Sequence, residues 1–183
     1  VLSDAKAAAF VDGVAWHCYA GDVAAQSVVR DRFPSKQVWF TECASGNWSG
    51  DWSKSFNWTI RNLIIGSTRN WAKGVVMWNL ALDEKHGPHL GGCGNCRGLV
   101  TINSQSGEVT REPEYYAFAH ASKFVRAGSV RVASMSTDKA IESVAFQKGR
   151  NGPVTLIAVN GGEAERKLSF AIGRKTYSAT LSA

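Results

Sequence analysis

Five side chains that can bind or activate a substrate come at the ends of apolar runs typical of buried strands. In chain order they are His17, Tyr19, Glu42, Trp78 and Asn79. In consecutive βα units the parallel strands bring their carboxyl ends to one edge of the sheet, and reactive groups collect there. The sequence therefore predicts that these side chains lie on one rim.

Glu42 is the member of this set that can act as a nucleophile. A carboxylate directly after Val38-Trp39-Phe40-Thr41 is costly to desolvate unless hydrogen bonds satisfy it. One interpretation is that Glu42 only caps the turn after its strand. The other rests on Tyr19, Trp48 and Trp78, which would share its rim and whose aromatic faces suit the C–H faces of sugar rings. A carboxylate among aromatic walls is what glycoside hydrolysis requires.

The elements that must position these residues alternate between strands and helices. Apolar runs predict strands at 14–18, 36–41 and 74–80, and helical spacing predicts helices at 23–33 and 52–64. This alternation is typical of parallel βα units. The stretch 81–98, rich in Gly, His, Pro and Asp, is predicted to be a long loop, and a further helix follows Pro113. Trp58 and Trp71 are expected to pack in the core.

After Ser129 the hydrophobic period changes to two. Leu168, Phe170 and Ile172 alternate with Lys, Ser and Ala, and Asn151-Gly152 has the composition of a hairpin turn. The pattern predicts an antiparallel β module of about five strands. The sequence therefore predicts an α/β plus β fold, with a first domain at 1–125 and a β domain at 126–183.

The net charge of +6 does not indicate nucleic-acid binding. Residues 1–125 carry 12 basic against 11 acidic side chains. Residues 126–183 carry 9 against 4, but these charges alternate with apolar residues instead of forming a basic stripe. We therefore expect no nucleic-acid partner.

Composition also bears on location. No run of about 18 apolar residues is present, so no membrane span is expected. Asn47-Trp-Ser and Asn57-Trp-Thr fit the acceptor pattern for N-glycosylation, which is a weak signal. The sequence does not fix the location, and a secreted or extracytoplasmic one is favoured.

The state of the four cysteines stays open at this point. Cys93-Gly-Asn-Cys96 has the spacing of half a zinc site, but no second pair follows it. Cys18 and Cys43, on neighbouring strand ends, are poorly placed to complete a metal cluster. A local disulfide between Cys93 and Cys96 and free thiols are the alternatives, and no metal site is predicted.

Three strand-end segments carry a resemblance to a known family. The segments Gly13–Tyr19 (GVAWHCY), Trp39–Glu42 (WFTE) and Met77–Leu82 (MWNLAL) resemble the last three strand ends of glycoside hydrolase family 30, which includes the glucosylceramidases. The resemblance extends, in the same order and spacing, to residues 87–93, 97–100 and 113–124. It covers nearly the whole chain.

The resemblance implies a role for the rim residues. Glu42 matches the catalytic nucleophile, Tyr19 the aromatic residue that hydrogen-bonds it, His17 its neighbour on the preceding strand, and Trp78 a sugar-contacting tryptophan. Trp48 and Asn79 are also expected to bind substrate. The family fold is a (β/α)8 barrel with an attached β-sandwich. We therefore expect the last three βα units of a TIM barrel in 1–125 and an antiparallel β-sandwich segment in 126–183.

One departure from the family pattern bears on activity. The family retains anomeric configuration and needs an acid/base carboxylate about 5–5.5 Å from the nucleophile. In the family this carboxylate belongs to an Asn-Glu-Pro motif on the fourth barrel strand, but no Asn-Glu pair occurs here, and Glu112-Pro113 follows Arg111. The chain is expected to begin just before the sixth strand and to be inactive by itself. Glu84 is the first candidate if an acid does lie within the chain.

The predicted function is that of the carboxyl-terminal portion of a retaining β-glycosidase acting on a β-glucoside or glucosylceramide-type substrate. No metal or organic cofactor is expected. Two alternatives stay open: a non-catalytic sugar-binding module with Trp48 and Trp78 as platforms, or an interaction subunit completed by a partner chain. Three parallel strands cannot close a barrel, so self-association or a missing amino-terminal portion is expected.

Overall fold

The computed structural model describes residues 1–182, which divide into two compact units, Val1–Ala117 and a second unit that begins at Phe118. This division falls within the helix Pro113–Ser122, and the domain bounds 1–125 and 126–183 stay a prediction. The helix is divided because Pro113, Glu114 and Ala117 in its first half are buried, and Glu114 is paired with a residue of the first unit.

Four α-helices and one π-helix are present in residues 1–182. They are α1 (Ala5–Ala8), α2 (Ala25–Arg32), α3 (Trp52–Trp58) and α4 (Pro113–Ser122), with the π-helix Thr59–Ser67 continuing α3 directly. Aspartates cap two of these helices, as N-terminal backbone donors require. The Asp4 carboxylate accepts from the backbone N–H groups of Lys6 and Ala7, and the Asp51 carboxylate accepts from that of Lys54.

Among residues 1–182, eight strands belong to the first unit and five to the second. Those of the first are β1 (Gly13–His17), β2 (Gln37–Glu42), β3 (Ser45–Gly46), β4 (Ala72–Val75), β5 (Ala81–Asp83), β6 (Cys96–Arg97), β7 (Val100–Ile102) and β8 (Val109–Arg111). Those of the second are β9 (Val130–Val132), β10 (Ile141–Gln147), β11 (Val154–Asn160), β12 (Arg166–Ile172) and β13 (Lys175–Leu181).

The central sheet of the first unit has the order β1-β2-β4, with both pairs parallel. This confirms the parallel pairing predicted for the first two strands. Side chains alternate along β2, so Val38 and Phe40 are buried while Trp39 between them is exposed. The buried face of the π-helix contributes Ile60 and Leu63 to the apolar core of the unit.

The third predicted strand and the predicted loop both need correction. β4 ends at Val75, not at residue 80, although single backbone bonds continue from Val76 N–H to the Phe40 carbonyl (2.9 Å) and from Trp78 N–H to the Cys43 carbonyl (3.0 Å). The stretch 81–98 contains β5 and β6. β5 pairs parallel with β7, β7 pairs antiparallel with β8, and β6 pairs antiparallel with β3. These strands are two or three residues long, too short for an alternating pattern to be recognised.

Trp58 and Trp71 were expected in the core, and that expectation is wrong. Their exposed fractions are 45% and 44%. The buried helical positions are taken by aliphatic residues such as Ile60, so Trp58 is left at the surface. Trp71 lies beyond the π-helix and has a φ of 78°. The Arg30 guanidinium carbon lies over the Trp71 ring, 5.1 Å from the ring centroid.

The second unit is antiparallel in all its strand pairs, as the period-two pattern predicted. Its strands form two sheets, a three-stranded sheet with the order β11-β10-β9 and the hairpin β12-β13. Ile141, Val144 and Ile157 of the larger sheet are buried. Within residues 1–182, no helix is both long enough and apolar enough to cross a membrane.

Candidate active site

β1 and β2 end side by side, with His17 opposite Glu42. The register shifts by one residue just before this pair, because Trp16 is opposite Phe40 and Thr41 is passed over. A bulge of this kind re-aims the side chains at a strand end. Here it brings the last residues of the two strands level with each other.

The Glu42 carboxylate has two polar neighbours from the end of β1. The Tyr19 hydroxyl donates a hydrogen bond of 2.8 Å to Glu42 Oε1, and His17 Nδ1 lies 3.6 Å from the same oxygen. The His17 and Tyr19 rings meet edge to face with centroids 5.8 Å apart. The Glu42 side chain remains 23% exposed. Glu42 is therefore oriented by its neighbours and still open to a ligand.

Tyr19 is a persistent proton donor in this arrangement. Partial burial, the hydrogen bond to Glu42 and the negative charge of that carboxylate raise the pKa of Tyr19 to about 12. A phenolate beside a carboxylate would be repelled by it. The Tyr19 hydroxyl therefore keeps its proton, and its bond to Glu42, throughout the neutral and mildly alkaline range.

A disulfide joins the residues that directly follow β1 and β2. Cys18 and Cys43 have Cα atoms 5.4 Å apart, and Cys43 is completely buried. Sequence analysis did not predict this pairing. Both residues were predicted to be poorly placed for a metal cluster, and the sequence alone does not show whether their Cα atoms are close enough for a disulfide. Among residues 1–182 no cluster of three or more His, Cys, Asp or Glu could hold a metal ion.

Trp48 and Tyr19 line a cavity of about 470 Å³, which Trp58 and Lys54 also line. Trp48 lies just beyond β3, and its ring covers Gly46, where a Cβ would come within 2.2 Å of the ring. The glycine therefore permits this position of the indole. Sequence analysis missed the place of Trp58 because its helical position resembled a core position.

Trp78 and Asn79 line a different cavity, of about 300 Å³, with His86 and His89. The structure therefore brings Trp48 and Tyr19 together and Trp78 and Asn79 together, but it does not place all four in one cavity. Trp78 is linked to the strand of Glu42 through its backbone bond to Cys43. The two histidines were missed because the stretch that holds them was predicted as an undivided loop.

Two tight structures shape the loop around this second cavity. The Asp83 carboxylate accepts from the backbone N–H groups of Lys85 and Gly87, which closes the turn that presents His86. His86 has a φ of 65°, and its Nε2 lies 3.1 Å from Asn47 Nδ2.

The second structure is a disulfide between Cys93 and Cys96, one of the two alternatives that the sequence left open. Cys96 also pairs with Gly46 in the β3–β6 ladder.

Two other carboxylates near these elements are already engaged. Glu114 lines the Trp48 cavity but is fully buried, and its oxygens accept from Arg97 Nε (3.2 Å) and Nη2 (2.7 Å). Glu84 accepts from both the backbone N–H and the hydroxyl of Ser104, and these bonds lower its pKa to about 2. Glu84 is therefore ionised near neutral pH and unsuited to donate a proton.

Comparison with known proteins finds glycoside hydrolases in both the family model and the curated relatives. A family model described as the glycosyl hydrolase family 30 TIM-barrel domain matches residues 1–125. An endo-1,6-β-D-glucanase of Neurospora crassa is 32% identical over an alignment of 165 positions that covers 85% of this chain and 34% of that protein. The lysosomal acid glucosylceramidase of Mus musculus is 29% identical over an alignment of 192 positions that covers 93% of this chain and 35% of that protein.

A solved endo-β1,6-glucanase superposes with a TM-score of 0.89 at 32% identity, over 99% of this chain and 41% of that structure. The chain thus spans about a third of the length of the curated relatives.

Proposed function

This chain belongs to glycoside hydrolase family 30, and we propose that Glu42 is the nucleophile with which a protein carrying it cleaves β-glucosidic bonds with retention of configuration. The observation that carries the proposal is the 2.8 Å hydrogen bond from Tyr19 to Glu42 at the ends of two adjacent parallel strands. Glu42 itself lines neither aromatic cavity, but Tyr19, which bonds to it, lines the Trp48 cavity, where a sugar ring can pack on the aromatic walls.

In the proposed reaction, Glu42 attacks the anomeric carbon and the bond from that carbon to the leaving oxygen breaks. A separate acid protonates the leaving oxygen, and the same group, now a base, removes a proton from the water that releases the sugar. Tyr19 holds the carboxylate in position by donating to Oε1, and His17 lies against the same oxygen. Trp48, Trp78 and Asn79 are proposed to contact the substrate.

We propose that this chain does not supply the acid. Of the described carboxylates near Glu42 and the two cavities, Glu114 lines the Trp48 cavity and its two bonds to Arg97 occupy it. Glu84 is ionised near neutral pH. Residues 1–183 alone should therefore not hydrolyse unactivated β-glucosides. The three parallel strands are proposed to be the last strands of a TIM barrel, and residues 126–183 to belong to a β-sandwich domain.

The substrate is proposed to be a β-1,6-linked glucan ahead of a glucosylceramide. The relative named as an endo-1,6-β-D-glucanase has the higher identity of the two, and the superposed structure is also named an endo-β1,6-glucanase. This reverses the order favoured from the sequence, in which glucosylceramide came first. Hydrolysis rates on β-1,6-glucan and glucosylceramide by the protein carrying this chain distinguish the two.

Covalent trapping tests the role of Glu42. The protein carrying this chain is incubated with dinitrophenyl 2-deoxy-2-fluoro-β-glucoside, whose leaving group needs no proton. Peptide mass spectrometry should find one fluoroglucosyl group on Glu42 and none in Glu42→Gln. Glu163→Gln, which changes an exposed glutamate of the second unit, is the matched control and should be labelled like the wild type.

Two outcomes would overturn the proposal. One is a label on a different carboxylate. The other is sugar binding with neither labelling nor turnover, which would favour a non-catalytic sugar-binding module.

A further inference from the structure

The Cys18–Cys43 disulfide and the Tyr19–Glu42 hydrogen bond form one local clasp. Cys18 lies between His17 and Tyr19 in the chain, and Cys43 directly follows Glu42. The Tyr19 hydroxyl donates to the carboxylate of Glu42, the residue directly before Cys43. The covalent link and the hydrogen bond therefore connect the same two short segments.

The segment that carries Tyr19 needs such a link. β1 ends at His17, so Tyr19 lies beyond the strand pairing that fixes the sheet. The residue is 56% exposed, and its ring meets that of His17 edge to face. A hydrogen bond from a half-exposed side chain in a loop costs conformational entropy to maintain. Cys18, the residue before Tyr19, is joined to Cys43 by the disulfide and is therefore held in place.

The other half of the link is rigidly held. Cys43 is 0% exposed, and its carbonyl accepts from the Trp78 N–H at 3.0 Å. Glu42, which precedes it, is the last residue of the central strand of the sheet. Cys43 can therefore act as a fixed point to which Cys18, and with it Tyr19, is attached.

We propose that the Cys18–Cys43 disulfide is a positioning element of the candidate active site, which keeps Tyr19 on Glu42 and makes the reactivity of Glu42 sensitive to thiols. This inference rests on the proposed function of Glu42. The disulfide itself does not touch the reacting atoms. It acts through Tyr19, in the way that supporting residues lock a catalytic group into a productive geometry.

The chain contains a matched control. The Cys93–Cys96 disulfide spans three residues and closes a small loop at the cavity lined by Trp78. Removing it changes the number of disulfides by the same amount, but leaves the Tyr19–Glu42 segment intact. If removing Cys18–Cys43 and removing Cys93–Cys96 have different effects, the difference comes from where each disulfide lies and not from the number of disulfides lost.

The kinetic experiment compares Cys18→Ala/Cys43→Ala with Cys93→Ala/Cys96→Ala in the protein carrying this chain. We expect the first variant to lower the maximal rate constant for labelling by the fluoroglucoside at least about tenfold, because misplacing a reacting group is costly. The concentration of fluoroglucoside that gives half-maximal labelling should change little. The control variant should keep the maximal rate constant within about twofold of the wild type, and because Cys93 lines the cavity of Trp78, any effect of its loss should appear in the concentration for half-maximal labelling.

Reduction gives the same test without loss of side chains. In the Cys93→Ala/Cys96→Ala protein, dithiothreitol can reduce one disulfide of this chain, Cys18–Cys43. The reaction yields two cysteine thiols and the cyclic disulfide of the reagent, so two electrons pass from reagent to protein. Labelling of Glu42 should then slow at least about tenfold. This arm also serves if Cys18→Ala/Cys43→Ala does not fold, with circular dichroism as the check in both arms.

A readout independent of activity is the ionisation of Tyr19, followed by absorbance and isolated by subtracting the Tyr19→Phe protein. With a pKa of about 12, about a tenth of Tyr19 is ionised at pH 11. Without the clasp its pKa should fall toward the ordinary value, which would make most of it ionised at that pH. A disulfide that only stabilised the fold would not shift this titration in the folded protein.

The outcomes separate the two proposals. If wild-type Glu42 is not labelled although the protein hydrolyses glucosides, the proposed function fails, and the Tyr19 titration still tests the clasp. If Glu42 is labelled at the wild-type rate after the disulfide is removed, and the Tyr19 titration does not change, the clasp is overturned.

Discussion

The two units of the chain differ in what their strand ends can assemble. The first has parallel central strands, and it contains all seven tryptophans, all four cysteines and every candidate site residue. The second is antiparallel throughout. Parallel strands deliver their carboxyl ends to one edge, whereas antiparallel neighbours end at opposite edges. The candidate site therefore forms where His17 and Glu42 end adjacent strands.

The unit that holds the candidate site does not hold the larger cavity. The second unit has a cavity of about 630 Å³, larger than either cavity of the first, lined largely by apolar residues such as Leu156, Ile157 and Phe170. It has no carboxylate in its lining. A cavity indicates chemistry when reactive groups converge on it, and volume alone does not.

The largest expected effect tests this assignment directly. Glu42→Gln should lower kcat on an aryl β-glucoside by about 10⁴-fold or more in the protein carrying this chain, because a nucleophile has no substitute. Glu163→Gln in the second unit should stay within about twofold. Steady-state kinetics measure both. Comparable losses of kcat in the two variants would contradict the assignment of catalysis to Glu42 of the first unit.

The second effect concerns stability within the first unit. Glu114 is fully buried and pairs with Arg97, whose side chain is 16% exposed and also donates to Ser55 Oγ at 2.8 Å. Glu114→Gln leaves this guanidinium without its counter-ion in a buried place, and should cost about 3–5 kcal/mol of unfolding free energy. Urea unfolding followed by tryptophan fluorescence measures the loss. A cost below about 1 kcal/mol would show that solvent reaches the pair.

Next in size is the bond that orients Glu42. Tyr19→Phe removes a hydrogen bond to a charged group, typically about 1.5–3 kcal/mol, so kcat should fall roughly 10- to 100-fold with KM little changed. Tyr177→Phe in the second unit, where the ring stacks on Phe170, is the control and should leave both constants unchanged. A rise in KM alone would make Tyr19 a sugar contact and not a support for Glu42.

The contrast between the units also explains what the sequence could predict. The continuous apolar run before Glu42, set between predicted helices, was sufficient for the parallel pairing, and the period-two runs of the second unit were sufficient for the antiparallel pairing. β5 and β6 went unrecognised because two- and three-residue strands have no period. The Cys18–Cys43 bond depends on the register of β1 against β2, which a bulge shifts by one residue and no local pattern shows.

A fourth prediction sets an exposed ion pair of the second unit against the buried pair of the first. Arg166 Nη1 lies 2.8 Å from Asp138 Oδ2, with side chains 39% and 43% exposed. Asp138→Asn removes the charge, and the amide oxygen can still accept the Ala140 backbone N–H bond. Solvent screens such pairs, so the unfolding free energy should fall by at most about 1 kcal/mol. If Asp138→Asn lowered the unfolding free energy as much as Glu114→Gln, burial would not explain the strength of the Glu114–Arg97 pair.

The smallest expected effect concerns Glu84, a carboxylate of the first unit that we expect to take no part in the chemistry. A general acid must carry a proton at the working pH. The Ser104 bonds lower the pKa of Glu84 to about 2, so at pH 6 only about one molecule in 10⁴ is protonated there. Because the folded-state pKa is lowered, these contacts persist at neutral pH and are lost only as the pH falls toward 2.

Glu84→Gln should therefore leave hydrolysis of an unactivated glucoside within about twofold of the wild type, with the same pH profile. An acid has a different signature. Its loss would slow the unactivated substrate by about 10²-fold or more and spare an activated aryl glucoside, whose leaving group departs without a proton. That split in Glu84→Gln would make Glu84 the acid and would require the Ser104 contact to open during turnover. Its absence would leave Glu42 as the catalytic carboxylate of the chain.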